Sequence, residues 1–120
     1  MTRLIAFALV AGAACSMHPP MQVAPEESSA ARDRAAAVAQ ETRAEELERA
    51  LSSLSAADKP RDCRRGCELV DEICELARRI CAISARHGQD QDLADRCVAS
   101  EQRCRRSQDQ VVPDCSCSRR

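Results

Sequence analysis

Eight of the nine cysteines in this 120-residue chain lie between positions 63 and 117. Thiols at that density can ligate a soft metal, exchange disulfides, or cross-link the backbone. Their spacing points to the third. Cys67, Cys74 and Cys81 recur every seven residues, and Cys97 and Cys104 repeat the interval further on. Seven residues make nearly two helical turns, so each set lines one face of a helix.

The elements that must carry these faces can be read around them. Between Asp62 and His87 the apolar positions form two adjoining stripes. Cys67, Val70, Cys74, Ala77, Cys81 and Ser84 make one; Leu69, Ile73, Leu76, Ile80 and Ile83 make the other. Glu68, Asp71, Glu72, Glu75, Arg79 and Arg86 fill the remaining face, which predicts a long helix buried over about half its circumference. Gly66 is tolerable near a first turn or under a close backbone approach. His87-Gly88 is a stop signal, with glycine suited to a left-handed cap and histidine to the helix C-terminus. Asp90 or Asp92 can cap a second helix, whose inner positions are Leu93, Cys97, Ser100, Cys104 and Val111. Val111-Val112-Pro113 ends it, leaving Cys115-Ser116-Cys117 on an irregular tail.

The short turn at Gly88–Gln91 makes the two helices antiparallel neighbours. In such a hairpin, residues at one level have a constant index sum. Cys81 with Cys97 and Cys74 with Cys104 both give 178, centred on residue 89 inside the turn. Rungs seven residues apart lie about 10.5 Å apart along each helix, and both can close. Ala77, Ser84, Ala94 and Ser100 beside them suit the ~5.5–6 Å Cα separation of a disulfide. The other four cysteines are expected to pair at the open end as Cys67–Cys115 and Cys63–Cys117. The swapped pairing stays open, because a non-helical tail need not obey the sum. The paired cysteines resemble the nested bridges of coiled-coil-helix-coiled-coil-helix proteins, at Cys74 and Cys81 on one helix and Cys97 and Cys104 on the other. That family separates its cysteines by nine residues where this chain has six, so the resemblance implies architecture alone.

The rival chemistry is thiolate binding of Cu(I), in which the hairpin would be similar to bacterial copper-storage bundles. Its ligands would be Cys63, Cys67, Cys115 and Cys117. Zinc knuckles of the Cys-x-x-Cys type are absent. An enzyme is not expected. The two histidines are His18 and His87, and no Ser/His/Asp set, phosphate loop or metalloprotease motif occurs. Arg119 and Arg120 give Cys115-Ser116-Cys117 little of the electropositive setting that a reactive thiol needs. No cofactor and no small-molecule substrate is implied. Residues 16–60 carry eight acids and five bases (−3), and 61–120 carry eleven acids and twelve bases (+1), so neither is a nucleic-acid patch. No aromatic residue follows Phe7, which removes both stacking platforms and large core anchors. A small domain so built needs staples.

Residues 28–58 are Ala- and Glu-rich and free of Gly and Pro, which predicts a helix capped by Ser28 or Ser29. Ala30, Ala37, Ala44 and Leu51 share one heptad position; Asp33, Gln40, Leu47 and Leu54 share another. This helix either docks on the cysteine domain, partial docking being the expectation, or self-associates through residues 28–57. Docking would cover Leu69, Leu76 and Ile83 with Leu47, Leu51 and Leu54, as a structural module requires. A binding module would leave them exposed. Lys59-Pro60 marks the joint with the hairpin of residues 61–120.

The chain starts with Thr2-Arg3, an apolar run from Leu4 to Ala11, and Gly12-Ala13-Ala14-Cys15. The run is too short to span a bilayer but long enough for a signal core. This leader resembles the lipobox of bacterial lipoproteins, with Gly12 standing where the family usually has Leu. The resemblance implies removal of residues 1–14, a lipid on Cys15, and a membrane as partner. Residues 15–27, with Pro19, Pro20 and Pro25, would be an extended tether, and the lone His18 there is expected to be solvated. Ser16 after the lipidated cysteine implies the outer membrane, facing the periplasm. Lipidation also removes the odd cysteine, leaving an even count to pair. The expectation is therefore an all-α, exported, lipid-anchored structural or interaction protein. Its core would be a disulfide-stapled antiparallel helical hairpin preceded by an Ala/Glu-rich helix.

Overall fold

The computed structural model describes residues 28–55, 62–111 and 113–117. The leader, Cys15, the tether, Lys59-Pro60 and the last three residues lie outside them. Three helices make up the regular structure among the described residues: α1 (Ser29–Ser55), α2 (Cys63–Arg86) and α3 (Gln91–Val111), with no strand. The all-α, disulfide-stapled architecture expected from the cysteine periodicity is the observed one.

Each helix starts on a side-chain cap that accepts an otherwise unpaired amide. Ser28 Oγ takes the Ala31 N–H at 3.2 Å, Asp62 Oδ1 takes that of Arg65 at 3.0 Å, and Asp90 Oδ1 takes that of Leu93 at 3.2 Å. Of the two candidates before α3, Asp90 is thus the cap. α2 closes on His87, whose N–H donates to the Ser84 carbonyl. The next glycine does not turn left-handed as its position suggests. Gly88 has negative φ, and the turn closes instead by the Asp90 N–H on the His87 carbonyl at 2.8 Å. At the other end of α2, a Cβ on Gly66 would sit 3.4 Å from Val111 Cγ1. What approaches there is a side chain, not a backbone.

The two stripes of α2 serve two neighbours. The cysteine stripe faces α3 and joins it covalently at Cys74–Cys104 and Cys81–Cys97. The isoleucine-leucine stripe faces α1, which runs antiparallel to α2 along its length. Leu47 and Leu51 pack with Leu69, Val70, Ile73 and Val111 in one cluster. Ala37 packs with Ile80, Ile83 and Leu93 in a second. α1 therefore docks on the hairpin through both clusters, beyond the leucines alone, and the result is an up-down-up three-helix bundle. Leu69 and Ile83 are buried under α1, with Leu54 and Leu76 partly buried beside the first cluster. Burying Leu47 and Leu51 contributes about 1.5–3 kcal/mol each; the alanines of the N-terminal half of α1 contribute much less.

Between the two clusters the core narrows to Ala44, Ala77 and Ser100, all buried. For Ala77 and Ser100, which lie between the two rungs, the reason is covalent. Cα atoms across the inner bridges are only 4.8 and 4.6 Å apart, closer than the usual ~5.5–6 Å. Helices held so near leave room only for small side chains between the rungs.

Candidate functional site

The chemistry-bearing residues gather into two constructions, a sulfur ladder joining α2 to α3 and a set of ion pairs fastening α1. The ladder has four bridges. Cys74–Cys104 and Cys81–Cys97 are the inner two. The outer two correct the expected pairing. Cys67 joins Cys117, not Cys115, and Cys63 joins Cys115, not Cys117, with Cα separations of 5.5 and 5.3 Å.

The tail's hydrogen bonds explain this. The Val111 carbonyl accepts the N–H groups of Asp114 (3.2 Å) and Cys115 (3.0 Å), so the chain keeps nearly helical register past Val111. Cys115 then lies where a continued helix would put it, opposite Cys63, and that pair also has an index sum of 178. The Cys117 N–H bonds back to the Cys115 carbonyl at 3.0 Å, a γ-turn that reverses the chain. Cys117 returns along α2 to Cys67, one turn further in. The bridges at this end interlace instead of nesting.

All eight described sulfurs are thus bonded to one another in pairs. Among the described residues one group has metal-ligand spacing, Cys81, Cys97 and Glu101, but its two sulfurs form a bridge. Cys63, Cys67, Cys115 and Cys117, the ligands of the copper reading, are likewise joined. A disulfide sulfur is not the thiolate that soft-metal binding uses.

The second construction went unread in the sequence, where its charges look like a solvated face. α1 and α3 run parallel, and charges meet at near-seven-residue steps. Arg34 Nη2 lies 2.7 Å from Asp90 Oδ2. Glu41 pairs with Arg96. Glu48 pairs with Arg103 Nε at 3.0 Å, with Glu45 3.5 Å from the same guanidinium. At the start of α1, Asp33 Oδ2 accepts from His87 Nε2 at 2.7 Å and Arg86 at 3.2 Å. His87 is therefore both a helix cap and a clasp. Hydrogen bonding by His87, then by Arg86, holds the Asp33 carboxyl below its ordinary range. Asp90 is held low likewise, first by Arg34 and then by the Leu93 amide. The findable signal was the matching steps: residues 34, 41 and 48 against residues 96 and 103. It becomes legible only once α1 is known to lie along α3.

Little else converges. An open cleft of about 1080 Å³ runs beside α2, lined among others by Arg43, Asp71, Glu75, Arg78 and Cys115 to Cys117. Its Glu75 is kept ionised by Arg78 at 2.7 Å and Arg79 at 3.1 Å, which opposes proton-transfer work. The large apolar side chains exposed among the described residues are Val38 and Val98, on different helices. No described helix is long and apolar enough to cross a membrane. Comparison with known proteins finds no matching family profile, curated protein or solved structure.

Proposed function

We propose that this chain is an exported, lipid-anchored, non-enzymatic structural module: a lipid on Cys15, a proline-rich tether, and a rigid bundle held off the membrane. The observation that carries the reading is the pairing of all eight cysteines from Cys63 to Cys117. Four bridges within about 55 residues belong to an oxidising compartment, and they leave Cys15 as the odd cysteine, at the position where the lipobox resemblance needs it. Burial of Leu69 and Ile83 under α1 favours a structural role over an open binding groove. Outer-membrane placement facing the periplasm rests on Ser16.

Mass spectrometry of the mature protein, without reduction, tests the reading in one measurement. The expected result is a chain beginning at acylated Cys15, eight hydrogens lighter than its reduced form. A mature chain lacking Cys15, or carrying it unmodified, overturns the anchor. Free thiols with bound copper would replace the structural reading with the metal one.

A further inference from the structure

We propose that α1 is an exchangeable helix, and that the groove it fills between α2 and α3 takes the α1 of a second copy of this chain. The argument starts from an asymmetry in how the three helices are held. α2 and α3 are tied by four covalent bridges, none of which touches α1. The hairpin therefore keeps its groove whether or not α1 is in it. α1 is held by side chains alone, and ahead of Leu47 the buried ones are only Ala37 and Ala44. There the fastening is electrostatic: Asp33 on His87 and Arg86, Arg34 on Asp90, Glu41 on Arg96.

The groove also states what fits it. It offers a base at His87, Arg96 and Arg103, and an acid at Asp90. α1 answers with acids at 33, 41 and 48 and a base at 34. Beside those charges it offers Ala37, Leu47 and Leu51 to the apolar face of α2. A second copy carries the same helix, so each contact made within one chain can be remade between two. Residues 56–61, which join α1 to α2, can reach at most about 20 Å when extended. Exchange therefore brings the Cys63 ends of two hairpins face to face about a two-fold axis, a closed dimer with no new interface chemistry. This proposal does not depend on the lipid anchor, which would only raise the local concentration of copies.

The test swaps charges between chains. One variant of the mature, oxidised chain carries Glu41→Arg and Glu48→Arg; the other carries Arg96→Glu and Arg103→Glu. Within either variant, and in its homodimer, like charges face each other at both steps. Between the two variants the attraction is restored. Native mass spectrometry of the mixture is expected to show a dimer containing both chains, at least tenfold above homodimers in either variant alone. Wild-type chains with and without isotope label should also give mixed dimers that increase with concentration. The proposal is overturned if labelled and unlabelled wild-type chains stay separate at every concentration. It is equally overturned if each variant alone dimerises as readily as the pair. Acylation of Cys15 is read from the same masses, so the anchor can fail while exchange stands, and the reverse.

Discussion

Removing one inner rung is the sharpest test of how this bundle is held. The pair Cys74→Ala and Cys104→Ala deletes a bridge that closes 30 residues in sequence, but that span overstates the effect. Cys81–Cys97 already ties the two helices, so the ring that Cys74–Cys104 closes in the unfolded chain runs through seven residues of α2 and seven of α3. A ring of about 15 residues corresponds to roughly 3 kcal/mol of stability in the chain-entropy account. For a domain of this size that converts to a fall in Tm of about 12–24 °C. Cys81→Ala with Cys97→Ala opens a loop of 16 residues and should cost nearly the same, also about 3 kcal/mol. Thermal melts followed by circular dichroism, with the three remaining bridges checked by peptide mapping, give the comparison. A loss below about 1 kcal/mol for the Cys74–Cys104 pair would refute the reasoning, because the rungs would then not substitute for the missing bulky core.

Three further expectations follow from the packing. Leu51→Ala should cost about 2–5 kcal/mol, because Leu51 is fully buried, and hydrogen exchange should show the loss concentrated in α1 while the bridged hairpin stays protected. Gly66→Ala should be neutral or stabilise by up to about 1 kcal/mol, since the new Cβ meets Val111 at 3.4 Å; Gly66→Leu should lower Tm in the same assay. Asp33 and Asp90 titrate lower in the folded state than their ordinary 3.8, so their contribution is complete above that pH and is lost as the pH falls through the folded values. Backbone carbon shifts should accordingly show α1 loosening in acid ahead of α2 and α3, and a simultaneous loss of all three helices would contradict this.

How far the sequence could be read depends on how local each determinant is. The inner bridges were legible because Cys74, Cys81, Cys97 and Cys104 all sit on helices, where spacing fixes direction. The outer pair was misread for want of one fact, that Cys115 still lies in helical register with Val111. The same sum that paired the inner four would have paired Cys63 with Cys115. Gly88 misled in the opposite way, since its residue type signals a left-handed cap that the turn does not use. The apolar seam of α1 was visible in Ala37, Ala44, Leu47 and Leu51, and all four are buried. Its clasp was not, because ion pairs such as Glu41–Arg96 bridge 55 residues of sequence. No local pattern distinguishes such an acid from one facing water.

Each of the four bridges has one foot before Gly88 and one after it. A protease that cuts the 87–90 turn therefore ends the continuity of the chain without releasing a fragment. The two pieces remain laced together, as a zip stays closed when its cloth is torn at one end. A cut at the exposed Gly88 or Gln89 is therefore damage that the fold can survive.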